Sequence, residues 1–189
     1  MIVEKAIQVI SNPNAFFDNL MEDGIKSCYL YFVVISIASA LLSFVSSFVI
    51  PGNILANSLY VFPLIRSVMF FGSGLIFWVI GLAAVFVFAG FLHLILMLFG
   101  SRVPYSKTMQ TFVYSSTPLY VIGWIPYVGT IAGIIWSIVL VVLALPKTHG
   151  ISITRSIFAT LVYLIVAIIA IVICFIGLFI FLYLGFSGF

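Results

Sequence analysis

Residues 114–129 read YSSTPLYVIGWIPYVG: two prolines, two glycines and a Tyr-Ser-Ser-Thr cluster between runs of membrane-grade hydrophobic sequence. Proline in a helix interior costs about 3 kcal/mol. In lipid, each backbone group it frees needs a partner in the protein or a trapped water. The stretch is either a short loop between spans or a working break in the bundle, and the span count turns on which.

Composition fixes the setting. The chain has 189 residues, 65% hydrophobic and 6% charged, with a mean hydropathy of +1.41. A soluble domain carries roughly 25% charged residues, so this composition cannot clothe a water-facing surface. An all-α, polytopic transmembrane helical bundle is expected. The start, MIVEKAIQVISNPNAFFDNLMEDG, lacks the basic region, apolar core and cleavage site of a signal peptide. A net charge of +3 gives no argument for a nucleic-acid partner.

A helix needs about 20 apolar residues to cross the bilayer core. Residues 28–50 form the first such run, ended by Pro51-Gly52-Asn53. The second, roughly 68–99, is long, with Gly72, Gly74, Gly81 and Gly90 available for bending or close packing. Residues 127–145 and 156–185 give two more, the former ending at Pro146-Lys147. Residues 108–122 cover only about 22 Å at 1.5 Å per residue, so this segment crosses only if it begins near Tyr105.

Charge counting favours the crossing. With five spans (28–50, 68–99, 105–122, 127–145, 156–185) and the N-terminus inside, Lys5, Lys26, Arg102, Lys107, Lys147 and Arg155 are internal and Arg66 alone is external. If 105–122 dips in and returns, Lys147 and Arg155 change sides and the bias nearly vanishes. The positive-inside rule therefore predicts a cytoplasmic N-terminus and an external C-terminus, in a multi-pass membrane protein. GWIPYVG becomes an outer turn anchored by Trp124 and Tyr127. The preceding hydroxyls become candidates to bond the carbonyl that Pro118 leaves unpaired. Cys28 and Cys174 fall near opposite faces, too far apart to pair.

Residues 1–26 form a separate cytoplasmic segment before the domain of 27–189. Ile2, Ala6, Val9 and Ile10 share one helical face, with Glu4, Lys5 and Gln8 elsewhere. Asn12-Pro13 breaks the helix, and Phe16, Phe17, Leu20 and Met21 continue the apolar pattern. Such a short amphipathic helix is adequate when laid on a membrane surface. It serves either as a plain anchor or as a recognition element for a protein partner.

Signatures of catalysis are scarce. All four acids, Glu4, Asp18, Glu22 and Asp23, precede the first span. The two histidines have no acid or cysteine at metal-ligand spacing. No metal, cofactor or enzymatic activity is expected. His93 is the one ionisable side chain inside a predicted span, and an intramembrane histidine is a functional candidate; the plainer reading is an imidazole bonded to a neighbouring Ser, Thr or Tyr. The candidate polar site joins His93 to Tyr114, Ser115, Ser116, Thr117 and Pro118, with Trp136 and Ser137 facing them across the turn. Lys26, Arg102, Lys107, Lys147 and Arg155 form an inner basic face, explained by topology or by anionic headgroups. Small residues at Ser39, Ser43 and Ser47, and at Gly129 and Gly133, allow close packing, within the chain or in a homo-oligomer.

SNPNAFF at 11–17 and the long stretch 100–161 carry a resemblance. Gly100, Tyr114-Ser115-Ser116-Thr117-Pro118, Trp136-Ser137 and Lys147-Thr148-His149-Gly150 stand in the order and spacing found in the Yip family, membrane proteins named for interaction with Ypt/Rab GTPases. The resemblance implies a five-span, N-in, C-out fold and a non-enzymatic role in membrane organisation or trafficking through protein or lipid contacts. Relatives in the early secretory pathway have longer cytoplasmic regions. This chain resembles a compact prokaryotic member, for which prenylated Rab partners are not expected. The competing reading is a transporter or channel for lipids or small neutral solutes, using the proline-broken third span.

Overall fold

The computed structural model describes residues 2–20, 24–49 and 63–187, all helices and connecting turns. Pro51-Gly52-Asn53, Glu22, Asp23 and the side chains of Ser47 and Arg66 lie outside what is described. The helices are α1 (Ile2–Ser11), α2 (Pro13–Asp18), α3 (Ile25–Val49), α4 (Pro63–Leu98), α5 (Tyr105–Ser115), α6 (Thr117–Ile122), α7 (Val128–His149) and α8 (Ile153–Ser187).

Among the described residues, four helices are long and apolar enough to cross a membrane: Ile25–Ser46, Gly74–Leu98, Val128–His149 and Ile153–Gly177. The segment 105–122 is helical in two pieces meeting at Ser116, and neither piece alone has spanning length. Together they run antiparallel to α7. Thr108 bonds His149 at one end, Gly133 packs on Leu119 further along, and Gly129 meets Ile122 at the other. The turn between them, as the glycines and Pro126 foretold, is tight. Tyr127 enters α7 with φ 62, a left-handed conformation costly for a residue with a Cβ.

Helix α7 continues to His149 and does not stop before Pro146. Proline has no N–H for the carbonyl four residues back, here Val142 O. The Ser156 hydroxyl of α8 donates to that oxygen at 2.7 Å, so the helix passes through the proline. Gly150, at φ 65, then closes it by donating its N–H to Pro146 O. The rescue expected at Pro118 is thus found at Pro146. The hydroxyls near Pro118 bond elsewhere: Ser116 to Phe112 O at 2.8 Å and Thr117 to Tyr31 at 2.9 Å.

Buried residues form stripes at helical spacing. On α3 they are Cys28, Tyr31, Phe32, Ile35 and Ser36, on α4 Val85, Ala89, Leu92, Ile95 and Leu96, and on α8 Ser156, Ala159, Thr160, Tyr163 and Ala167. These stripes converge toward the end of the bundle holding Gly24, Gly100 and His149, called here the His149 end. Gly72, Gly74, Gly81 and Gly90 are not points of close approach: a Cβ at any of them would meet nothing within 4 Å.

The N-terminal pair departs from expectation. The face carrying Ala6 and Val9 is buried, and it packs on the bundle where a membrane surface was expected. Ala6, Val9 and Phe17 share a core cluster with Cys28, Tyr31, Phe32 and Tyr114. Asn12 caps α2, its Oδ1 accepting from Ala15 N at 3.3 Å, with Pro13 in the first turn, where its missing N–H costs nothing.

Candidate functional site

Helix α5 starts after Pro104, whose extended backbone sets the entry angle. Its buried face carries Thr108, Thr111 and Ser115 at spacings of three and four, which places all three hydroxyls toward the bundle interior. Opposite them stand α7, ending in Thr148-His149, and α4, carrying His93.

The result is a hydrogen-bonded chain at the His149 end. His93 Nδ1 lies 2.8 Å from Thr108 Oγ1, and Thr108 Oγ1 lies 3.0 Å from His149 Nε2. His149 Nδ1 lies 2.8 Å from Thr148 Oγ1. The Thr148 hydroxyl donates to Ala144 O and stands 3.0 Å from Thr111 Oγ1. A hydroxyl has one proton to give. Thr148 spends its proton on Ala144 O, so His149 donates from Nδ1 and accepts at Nε2 from Thr108. Thr108 then accepts from His93 Nδ1–H. Tyr105 completes the surroundings, its ring edge-on to His93 at 5.6 Å and its hydroxyl donating to Phe86 O at 2.9 Å.

Of the predicted polar site, the structure joins some members and separates others. Tyr114 is fully buried, its ring 5.0 Å from Tyr31 and 5.2 Å from Phe16. Thr117 is buried on Tyr31. Ser115 and Ser137 are buried hydroxyls with no hydrogen-bond partner among the described residues, as is Thr160 on α8. Trp136 is 39% exposed, on the outside of the hairpin. His93 bonds Thr108, several residues away from the Tyr114–Pro118 break. Sequence reading missed Thr108, Thr111, Thr148 and the buried position of His149, which had passed for loop. The available signal was the recurrence of Thr108, Thr111 and Ser115 at spacings of three and four on one face of the helix.

The basic residues expected on the inner face divide. Lys26, Arg102 and Arg155 are exposed. Lys107 and Lys147 instead hold the N-terminal pair. Lys107 Nζ donates to Leu20 O at 3.2 Å. Lys147 Nζ donates to Asn14 O at 3.1 Å and pairs with Asp18 at 2.6 Å. Lys5 lies over the Tyr114 ring, 5.7 Å from its centroid. A cleft of about 420 Å³ runs between α1 and α2, lined by Lys5, Gln8, Asn12, Phe16, Asn19 and Leu20 among others.

No group of three or more His, Cys, Asp or Glu that could hold a metal ion occurs among the described residues. Cys28 is buried and Cys174 exposed, and no disulfide joins them.

Among the described residues, four apolar helices of spanning length, one of them the hairpin's α7, define a multi-pass helical membrane protein. The Yip1 domain model matches residues 7–176, most of the chain, and the protein belongs to the Yip family. No curated protein matches it, and no solved structure does.

Proposed function

We propose that this protein is a non-enzymatic, five-span Yip-type membrane protein that acts through protein or lipid contacts made at a cytoplasmic N-terminal helix pair. The observation that carries this reading is the seating of α1 and α2. Lys107 and Lys147, from two different helices, fix the pair at Leu20 O, Asn14 O and Asp18, leaving Val3 and Ile7 exposed on its outer side. A mere tether would not need two lysines on its backbone.

The antiparallel run of 105–122 along α7 supports the fifth crossing. Single-cysteine reporters at Arg102, Trp124 and Ser152, in a chain with Cys28→Ala and Cys174→Ala, test it with a membrane-impermeant maleimide. Five spans with the N-terminus inside leave 102 and 152 shielded in intact cells and 124 labelled. Labelling at 152 with 124 shielded would mean that the segment returns to the side it came from.

A second reading, translocation of a lipid or small neutral solute, is favoured by the buried, unpartnered hydroxyls of Ser115, Ser137 and Thr160. Register supports a similar depth for them: Ser156 bonds Val142 O, so Thr160, one turn on, lies near the depth of Ser137. Ser115 falls between the Thr111–Thr148 and Leu119–Gly133 contacts. Reconstitution into liposomes with a fluorescent-lipid scrambling and solute-flux assay separates the readings. Activity lost on Ser115→Ala and Ser137→Ala with the fold intact would favour translocation. Silence beside a working control scramblase leaves the contact reading.

A further inference from the structure

Neighbouring residues on α5 and on α7 divide their side chains between the N-terminal pair and the bundle interior. Lys107 Nζ donates to Leu20 O at 3.2 Å, and the next residue, Thr108, bonds both histidines. On α7, Lys147 Nζ holds Asn14 O and Asp18, and Thr148 and His149 follow at once. Successive residues of an α-helix point about 100° apart at 3.6 residues per turn. Each lysine therefore leaves outward while its neighbour turns in. The outward bonds clasp the pair, and the inward bonds lock the interior.

Clasp and lock also share residues. Thr111 Oγ1 lies 2.9 Å from Lys107 O and 3.0 Å from Thr148 Oγ1. Lys107 thus holds Leu20 through its ammonium and meets the lock through its carbonyl. Ala144 stands in the core cluster that Ala6, Val9 and Phe17 enter, and its carbonyl accepts the Thr148 hydroxyl at 2.9 Å. Thr108 and Thr111 are fully buried, and Thr148 and His149 nearly so. In an interior packed to crystal density, a helix end that moves takes its neighbours with it.

Gln110 sets the seated pair against a second state. It is 2% exposed and lies three residues from Lys107 and four from Tyr114 on one face of α5. That places it between the Leu20 contact and the Phe16 ring contact. Its Oε1 has no hydrogen-bond partner among the described residues. A buried, unpaired acceptor is destabilising, and water reaches this one once the pair lifts. The seated state carries that penalty and the lifted state does not, which narrows the gap between them.

We propose that α1 and α2 form a latch whose seating is coupled to the His93–Thr108–His149 chain, so that lifting the pair off Lys107 and Lys147 loosens the bundle interior at the His149 end. This builds on the reading of the pair as the contact segment, giving a contact there an effect inside the bundle. The coupling is measured on the chain alone, with no partner present, so it stands or falls apart from that reading.

The test uses the full chain in phosphatidylcholine nanodiscs and reads both ends. The sequence holds two histidines, so ring ¹⁵N spectra of histidine-labelled protein report the lock directly. Hydrogen exchange at residues 13–18 reports the seating, because exchange through a local opening responds to what that opening breaks. Coupling between sites is reciprocal, and each end is perturbed in turn. Thr108→Val should quicken exchange at 13–18 at least about threefold, beyond the scatter of sites that merely add, with Thr108→Ser close to wild type. Trp78→Phe removes a bond of the α3–α4 contact, Trp78 Nε1 to Ser36 Oγ at 3.0 Å, and should change that exchange less than about twofold. From the other end, Asp18→Asn and the stronger Phe17→Ala should quicken exchange at 13–18 and move the His149 ring signals away from a single Nδ1–H form. Quickened exchange with unmoved ring signals would overturn the coupling. So would equal effects of Thr108→Val and Trp78→Phe on the pair.

Discussion

The hairpin of 105–149 and helix α8 are neighbours built on different principles. In the hairpin, contact is specified atom by atom: Gly133 lets α7 reach the Leu119 backbone, where an added Cβ would sit 2.9 Å from Cα, and hydroxyls and imidazoles lock the far end. Helix α8 packs through one stripe ending at Ala167. Beyond it Ile168, Ile173, Phe175, Ile176 and Phe179 are at least half exposed, and a Cβ at Gly177 would meet nothing within 4 Å. Lipid tails solvate such residues as well as another helix would. In a membrane, hydrophobicity marks what is immersed, and small and polar residues mark what is joined.

The sharpest way to break this contrast is to add bulk to the hairpin. A Cβ on Gly129 would collide with Ile122 O and lie 2.6 Å from Ile125 Cβ, and the turn backbone has nowhere to move. Gly129→Val should cost about 3 kcal/mol or more, seen as lost monodisperse protein or a large fall in unfolding midpoint in detergent. A wild-type midpoint would mean that the close approach of α6 and α7 is not what holds them.

Thr108→Val comes next. The substitution keeps shape but leaves His93 Nδ1 and His149 Nε2 without their shared partner. Leaving a buried polar group unpaired costs about 1–3 kcal/mol, and measured hydrogen bonds between membrane helices fall toward the lower end. A loss of about 1–3 kcal/mol is expected by chemical denaturation, largely restored by Thr108→Ser. Equal loss in Val and Ser would assign the effect to the methyl packing instead.

These two regions also differ in how far the sequence disclosed them. The turn at Gly123–Pro126 and the break at Asn12-Pro13 are local signals, and both fall between helices; the apolar runs are local too, but the one expected to end at 145 continues to His149. The bonds that organise the interior are not local. Thr108 meets His149 across 41 positions, and a neutral hydrogen bond leaves no mark on charge counts or periodicity. Pro146 reads as a stop because its cure, the Ser156 hydroxyl, is on another helix. The amphipathic face of α1 is legible, but whether it meets lipid or protein depends on lysines 87 and 133 positions from the atoms they bond.

A smaller effect is expected where the N-terminal pair is tied down. The Lys147–Asp18 pair is short, 2.6 Å, but the Asp18 side chain is 56% exposed, so water and salt screen most of its Coulomb energy. A double-mutant cycle with Asp18→Asn and Lys147→Met should give a coupling of about 0.2–1 kcal/mol that shrinks as salt rises. Lys147→Met alone should cost more than Asp18→Asn, because it also removes the bond to Asn14 O. Hydrogen exchange at residues 13–18 should quicken in both.

The smallest change belongs on α8. Gly177→Ala adds a methyl where nothing stands within 4 Å and removes the backbone freedom that makes glycine up to about 1 kcal/mol worse than alanine in a helix. Lipid already suppresses helix fraying by penalising any unpaired backbone group, so the gain should be a fraction of that figure. The unfolding midpoint should hold or rise slightly, while Gly133→Ala, at 2.9 Å from Leu119 Cα, should lower it. Both add the same methyl to the same residue type in an apolar helix, so opposite signs can arise only from what stands opposite. Matching losses would mean that the outer part of α8 has a partner surface after all, and that the contrast with the hairpin holds for the isolated chain alone.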